Sequence, residues 1–87
     1  MGKVAVVLKV LPNSVEVNLE ELTEEILQAI PEDCQLLKVE AEPIGFGINS
    51  LVFTITRDEE LGISDVEEKI KSIEGVGDVI VSNITLI

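Results

Sequence analysis

The sequence predicts an α+β domain with two helices packed on one face of a four-stranded antiparallel sheet. Three observations predict it. Four stretches alternate apolar and polar residues with period two, two others repeat apolar residues at helical spacing, and the elements run strand, helix, strand, strand, helix, strand. The chain has 87 residues, enough for one hydrophobic core and little room for an internal cavity. Its apolar fraction is 46%, and only Phe46 and Phe53 are aromatic, so that core has to be built from Val, Ile and Leu.

Residues 3–11 form the first expected strand. Val4, Val6, Leu8 and Val10 fall on one face, and Ala5, Val7 and Leu11 on the other, with Lys9 between them. Two apolar faces mark a central strand, and Pro12-Asn13-Ser14 ends it. The first helix spans 18–30. Asn18 is its expected N-cap, Leu19, Leu22, Ile26 and Ile30 form its apolar stripe, and Pro31 stops it. Glu20, Glu21, Glu24 and Glu25 load its first turns, where the helix dipole favours negative charge.

The second strand is expected over 35–42, with Leu37, Val39 and Ala41 inward and Lys38, Glu40 and Glu42 in water. Pro43 to Gly47 interrupts it. The third runs over 50–57, with Leu51, Phe53 and Ile55 on one face. After a turn at 58–63, Ser64 is placed to cap the second helix, whose stripe is Val66, Ile70 and Ile73. Gly75 and Gly77 bracket its exit, and the last strand runs from about Asp78 to Leu86.

Each half is thus a βαβ unit with a right-handed crossover. Two such units in one sheet give the ferredoxin-like split βαβ sandwich, with expected strand order 4-1-3-2. Leu8, Ile26, Phe53 and Ile70 are the core positions where truncation to Ala should cost most, about 2–5 kcal/mol each. The open sheet face is expected to carry Ala5, Val7, Val52 and either Ile80 or Ile84. Such a patch is either a docking surface or is covered by the chain ends and the stems of Lys9 and Lys38.

Charge and composition remove several classes of function. The formal net charge is -11, and the six basic residues are scattered, so neither nucleic acid nor an anionic membrane is a natural partner. Two readings of the acidic surface stay open: steering toward a basic protein partner, or solubility alone, which suffices for most of these carboxylates. There is no histidine, so no histidine-based triad and no His-ligated zinc site can form. The carboxylate runs Glu20-Glu21, Glu24-Glu25, Asp58-Glu59-Glu60 and Glu67-Glu68 match no alternating oxygen-ligand loop. No glycine pair forms a phosphate cradle. Arg57 stands beside Asp58-Glu59-Glu60, where an ordinary surface ion pair is expected. Neither a cofactor nor a metal is implied. The single Cys34, the lack of a signal-like leader and the lack of a membrane-length apolar run predict a cytoplasmic protein.

The unusual stretch is Pro43-Ile44-Gly45-Phe46-Gly47-Ile48. A phenylalanine between glycines is a poor strand interior and suits a tight bend that can hold positive φ. Two placements are open. The ring stands at a hairpin tip as an anchor, with Ile44 and Ile48 flanking it, or it folds back to cap the end of the core.

This run, with Leu51 after it, resembles the signature of the translation elongation factor one-beta family, and the whole chain looks like the short archaeal form. The resemblance also rests on Met1-Gly2-Lys3-Val4, Lys9-Val10-Leu11-Pro12, Leu19-Glu20-Glu21-Leu22, Ala29-Ile30-Pro31 and Ile73-Glu74-Gly75-Val76. It implies one guanine-nucleotide exchange domain over 1–87, and no enzyme. Its partner would be the elongation factor one-alpha GTPase, in GDP-bound and nucleotide-free forms, and the factor would act alone or as a homodimer.

In that family the loop phenylalanine, here Phe46 held by Gly45 and Gly47, inserts into the GTPase. In eukaryotic relatives a lysine near the carboxyl end reaches toward the Mg²⁺ region. The matching position falls near Leu86, so Leu86 and Ile87 join the candidate partner-binding residues, although neither carries a cation. Mg²⁺ is then displaced differently, or Phe46 carries more of the effect, or exchange is weak. The competing reading is a regulatory interaction module of the same fold. A small acyl-phosphate enzyme is a third, and the missing histidines and phosphate-binding cations count against it.

Overall fold

Strand β1, Lys3–Pro12, alternates as its sequence requires. Val6, Leu8 and Val10 are buried, while Ala5, Val7 and Lys9 on the other face are half-covered. The structure is a computed structural model that describes residues 2–87; Met1, which opens one of the runs quoted above, lies outside them. Helix α1 is Leu19–Ala29. Asn18 caps it through its side-chain oxygen, which accepts from Glu20 N at 3.0 Å and Glu21 N at 3.2 Å. Strands β2, Gln35–Gly45, and β3, Ile48–Asp58, form a hairpin. A short 3₁₀ turn, Glu59–Leu61, leads to α2, Ser64–Lys71, and β4 is Val76–Leu86.

The sheet is antiparallel in the order β2-β3-β1-β4, the expected ferredoxin-like arrangement. Leu22 and Ile26 of α1 and Val66 and Ile70 of α2 join the inward side chains of β1, β3 and β4 in one aliphatic core around Phe53. Leu8, Ile26, Phe53 and Ile70 are all fully buried, as the sequence requires of the four positions singled out. Burial of this apolar surface is the main stabilising term, at about 25 cal/mol per Å².

Several local expectations are corrected. Strand β2 does not stop at Glu42 but continues through Pro43 to Gly45. It is an edge strand, and an edge tolerates a proline because a missing N–H need leave no ladder bond unmade. Leu37 does not face inward. Leu36 pairs with Ile55 and Lys38 with Thr54, so Leu37 is the extra residue of a bulge and is exposed. Ala41 lies across from Leu51 yet is also exposed, and only Val39 of that expected trio packs on the core.

Ser64 makes no side-chain cap to α2; the cap position is Ile63. Gly77 lies inside β4, where a Cβ would come 3.0 Å from the backbone of Pro12 and Asn13, so close strand approach sets its identity. Ile84 pairs with Val6 and so belongs to the helix side of β4, not the open face. The bulge between the Val7–Asn83 and Leu8–Val81 pairs reverses the alternation. On the open face, Ala5, Val7 and Val52 are half-covered, Ile80 is exposed, and Lys9 reaches across to Glu42 at 3.4 Å. Partial cover and partial exposure therefore coexist there.

Candidate functional site

The β2–β3 hairpin turns through two residues. Gly45 pairs with Ile48, leaving Phe46 and Gly47 as the connection. Their φ values are 55° and 75°, and Gly45 before them sits at 107°. Positive φ at both central positions is the signature of the tight turn whose twist matches that of the strands. Glycine adopts it freely. Phenylalanine does not, and holding a side chain there costs about 1–2 kcal/mol.

The ring gains nothing from the rest of the chain in exchange for that cost. Phe46 is 100% exposed, the most exposed large apolar side chain among the described residues. The alternative in which it folds back over the core is therefore not the conformation of the free chain. Ile44, in a pairing irregularity between Pro43 and Gly45, is also exposed, while Ile48 is half-buried and roots the turn. The base is stiffened by the fully buried Ser50, whose hydroxyl donates to the Glu42 carbonyl at 3.2 Å.

The register that puts Phe46 at one end of the sheet puts Leu86 and Ile87 at the other. Leu86 pairs with Val4, which pairs with Arg57, and the Ile87 amide donates to the Lys3 carbonyl at 2.9 Å. About nine strand residues separate this row from Ile48, roughly 30 Å at 3.3 Å per residue. The candidate residues thus form two groups: Ile44, Gly45, Phe46, Gly47 and Ile48 at the tip, and the exposed Leu86 and Ile87 at the opposite end. The molecule, 42 × 21 × 17 Å, is long enough to keep them apart.

A shallow cleft of ≈ 100 Å³ lies beside the tip, between the hairpin base (Gly47, Ile48, Asn49) and the β1–α1 loop, where Ser14 and Val15 line it. Sequence reasoning did not find it, because only the pairing of β1 with β3 brings Pro12 near Ile48. It also missed the role of Arg57. That guanidinium is 6% exposed and inward. It donates to Asp33 at 2.8 Å, to both Asp65 oxygens at 2.6 and 3.1 Å, and to the Gly62 carbonyl at 3.2 Å. The neighbouring Asp58 instead accepts from the Glu60 amide. The Arg57 hydrogen bonds hold the Asp65 carboxyl below the usual carboxylate range and the guanidinium above its own.

Little here suits covalent chemistry. Cys34 is half-buried against the core, and burial raises its thiol pKa, the opposite of an activated nucleophile. Among the described residues no group of three or more carboxylates or thiols is placed to hold a metal ion, and no helix is long and apolar enough to cross a membrane.

Comparison with known proteins agrees with this geometry. The family described as EF-1 guanine nucleotide exchange domain matches residues 5–87. An "Elongation factor 1-beta" of Thermofilum pendens is 44% identical over 87 residues, covering 98% of this chain and 96% of its own. That of Ignicoccus hospitalis is 44% identical over 81 residues (91% and 86%), and that of Methanothermobacter thermautotrophicus 41% over 85 residues (97% and 96%). With matches of this length spread across archaeal relatives, and with an uncovered Phe46 on a ferredoxin-like sandwich, the chain belongs to the EF-1 guanine nucleotide exchange domain family.

Proposed function

We propose that the Phe46 hairpin is the element through which this chain, an archaeal-type elongation factor 1-beta, drives GDP from the elongation factor 1-alpha GTPase. Membership of the family makes the chain a guanine-nucleotide exchange factor of translation elongation, not an enzyme that makes or breaks bonds. The observation that carries the proposal is the complete exposure of Phe46 at a positive-φ turn. Backbone strain and an uncovered aromatic ring are both unfavourable in the isolated chain, and both are offset when the ring enters a partner's pocket.

Exchange is a matter of linkage. A factor that binds the nucleotide-free GTPase more tightly than the GDP-bound form must weaken GDP binding by the same ratio. The GTPase grips GDP through its phosphate loop and Mg²⁺, so a small displacement of those groups suffices. A rigid hairpin bearing one apolar wedge supplies such a push without titratable chemistry. Leu86 and Ile87 form a second, separate contact in this proposal. Lacking a cation, they act on the Mg²⁺ side by apolar packing alone. The acidic surface steers the encounter with basic parts of the GTPase. The site of action is the cytoplasm, where aminoacyl-tRNA is delivered.

The test is release of a fluorescent GDP analogue from the cognate GTPase. The chain should accelerate release at micromolar concentration, and a rate equal to spontaneous release would sink the proposal. Pairing of two copies through the open sheet face around Ile80 is a separable proposal, read by sedimentation of the factor alone.

A further inference from the structure

The tip that carries Phe46 is thinly fastened. Regular pairing of β2 with β3 ends at Pro43–Asn49, and Ile44 is left without a partner before Gly45 meets Ile48. From Glu40 to Asn49 every residue except Ile48 is exposed, so packing holds the tip at one residue only. The next fixed point along β3 is Ser50. It is 0% exposed, the only polar side chain among the described residues with no exposure at all. Its neighbour Leu51 enters the core, so by alternation Ser50 lies on the opposite face of β3, away from the helices. Its hydroxyl donates to the main-chain carbonyl of Glu42, its cross-strand partner, at 3.2 Å. Glu42 is held a second time through its carboxylate, which Lys9 of β1 reaches across β3 at 3.4 Å. Both ties fall on the last residue before Pro43, just below the place where the pairing becomes irregular.

We infer that Ser50 is a positioning residue for nucleotide exchange: its hydrogen bond to Glu42 fixes the direction in which the turn holds Phe46, and so sets how well the ring is aimed at the GTPase. The inference rests on the reading of Phe46 as the wedge. Burying a hydroxyl is unfavourable by itself and is balanced by its hydrogen bond, so the net gain to the fold is small. What the bond supplies is geometry. It joins the two strands of the hairpin through a side chain at the root of a tip that has little packing of its own. Without it the ring is still present, but the turn beneath it swings. A group that acts by pushing on its partner depends on being held in one direction by rigid support. The loss therefore belongs to the saturated complex, where the ring must displace groups of the GTPase. It appears in the maximal exchange rate more than in the amount of factor needed for half-saturation.

Three variants of the whole chain, Ser50→Ala, Phe46→Ala and Ile55→Val, are each melted and then titrated against the cognate GTPase loaded with fluorescent GDP. Ile55 is fully buried farther along the same strand, so Ile55→Val loses stability on a similar scale without touching the tip. Ser50→Ala is expected to lower the maximal rate about 2- to 10-fold, the scale of one neutral hydrogen bond, and Ile55→Val to leave it unchanged where the chain is folded. Amide relaxation of the free chain gives the second readout. Order parameters at Gly45, Phe46 and Gly47 should fall in Ser50→Ala from about 0.85 toward about 0.6, while those of Phe53 and Ile55 stay as they were. If Ser50→Ala exchanges like the unmodified chain while Phe46→Ala fails, the inference is overturned and the wedge stands. A slower Ser50→Ala with a turn as ordered as before also overturns it, because Ser50 then acts by another route. So do rate losses that track melting temperature alike in Ser50→Ala and Ile55→Val, which would make Ser50 part of the fold alone. If Phe46→Ala exchanges normally, the wedge proposal falls first and takes the inference with it.

Discussion

Strand β3 ends in two opposite ways. Toward its start the chain leaves the core at a turn in which a strained backbone carries a ring that touches nothing. Toward its end the chain is tied down. Arg57 gathers Asp33 from before β2, Gly62 from the turn and Asp65 from α2 into one hydrogen-bonded group with the guanidinium almost sealed from water. The contrast separates two kinds of residue that composition alone treats alike. Polar groups that look exposed in the sequence hold the far end shut, and an apolar group that looks like core stands in water. Buried hydrogen bonds knit together the end that carries Arg57, and the opposite end holds out the ring proposed as the wedge.

The two phenylalanines give the largest test of that separation. Phe53 is fully buried and central, and Phe53→Ala should cost about 3–5 kcal/mol in urea denaturation. Phe46→Ala should leave the urea midpoint essentially where it was, yet reduce accelerated GDP release about 30-fold or more, the scale of a dominant anchor residue. Comparable losses of stability in both variants would abolish the distinction.

Arg57→Ala should come next. It removes charge-assisted hydrogen bonds from a buried guanidinium, but Asp33 and Asp65 remain 41% and 49% exposed and can be rehydrated. The expected loss is therefore about 2–3 kcal/mol, below that of a fully buried pair. Exchange per folded molecule should be retained. Arg57→Lys should recover only part of the stability, because an ammonium cannot reproduce the two-oxygen grip on Asp65. Exchange lost in proportion to neither folding nor melting would show that the two ends of β3 are coupled.

A smaller effect comes from pH. The folded-state pKa of Asp65 is depressed, first by its hydrogen bonds from Arg57. Its contribution to stability is fully present above the unfolded value, about pH 4, and is lost as pH falls through the depressed native value. Unmodified chain should therefore show a steeper acid decline in melting temperature than Asp65→Asn, with the two curves converging at the lowest pH. Parallel curves from neutral to acid pH would show that the Arg57–Asp65 contact contributes nothing to acid stability.

Much of this arrangement was legible before the fold was known. Period-two and helical spacing located six elements, because each buries one face and the two periods differ. The Asn18 cap was legible because its partners are two and three residues away. Features that depend on distant pairing were not. The Leu37 bulge slips the alternation of β2 without a local sign, and the Ser82 region does the same to β4, which moved Ile84 to the other face. Arg57 was assigned to its sequence neighbours, although the carboxylates it meets are 24 and 8 residues away. At the site, the glycine-flanked Phe46 was visible, but its orientation was not. Both placements of the ring satisfy the same local sequence, and only the turn geometry separates them. The cleft lay beyond sequence reasoning because its two walls meet only through the β1–β3 register.

The smallest expected effect is the most direct probe of the strained end. In Phe46→Gly the left-handed backbone becomes comfortable, and the ring that is lost made no contacts in the free chain. Against this, glycine adds conformational freedom to the unfolded chain, which offsets part of the gain. With about 1–2 kcal/mol of strain relieved and about 0.5–1 kcal/mol returned through the unfolded state, the variant should be more stable by up to about 1.5 kcal/mol. Phe46→Ala keeps the strain and should gain nothing, so the difference between the two variants isolates the backbone from the ring. Both should be equally poor at exchange, since both lack the wedge. A glycine variant less stable than the alanine variant would mean that the turn holds Phe46 without strain, and positive φ would then no longer mark this residue as one kept for a partner at the expense of the fold.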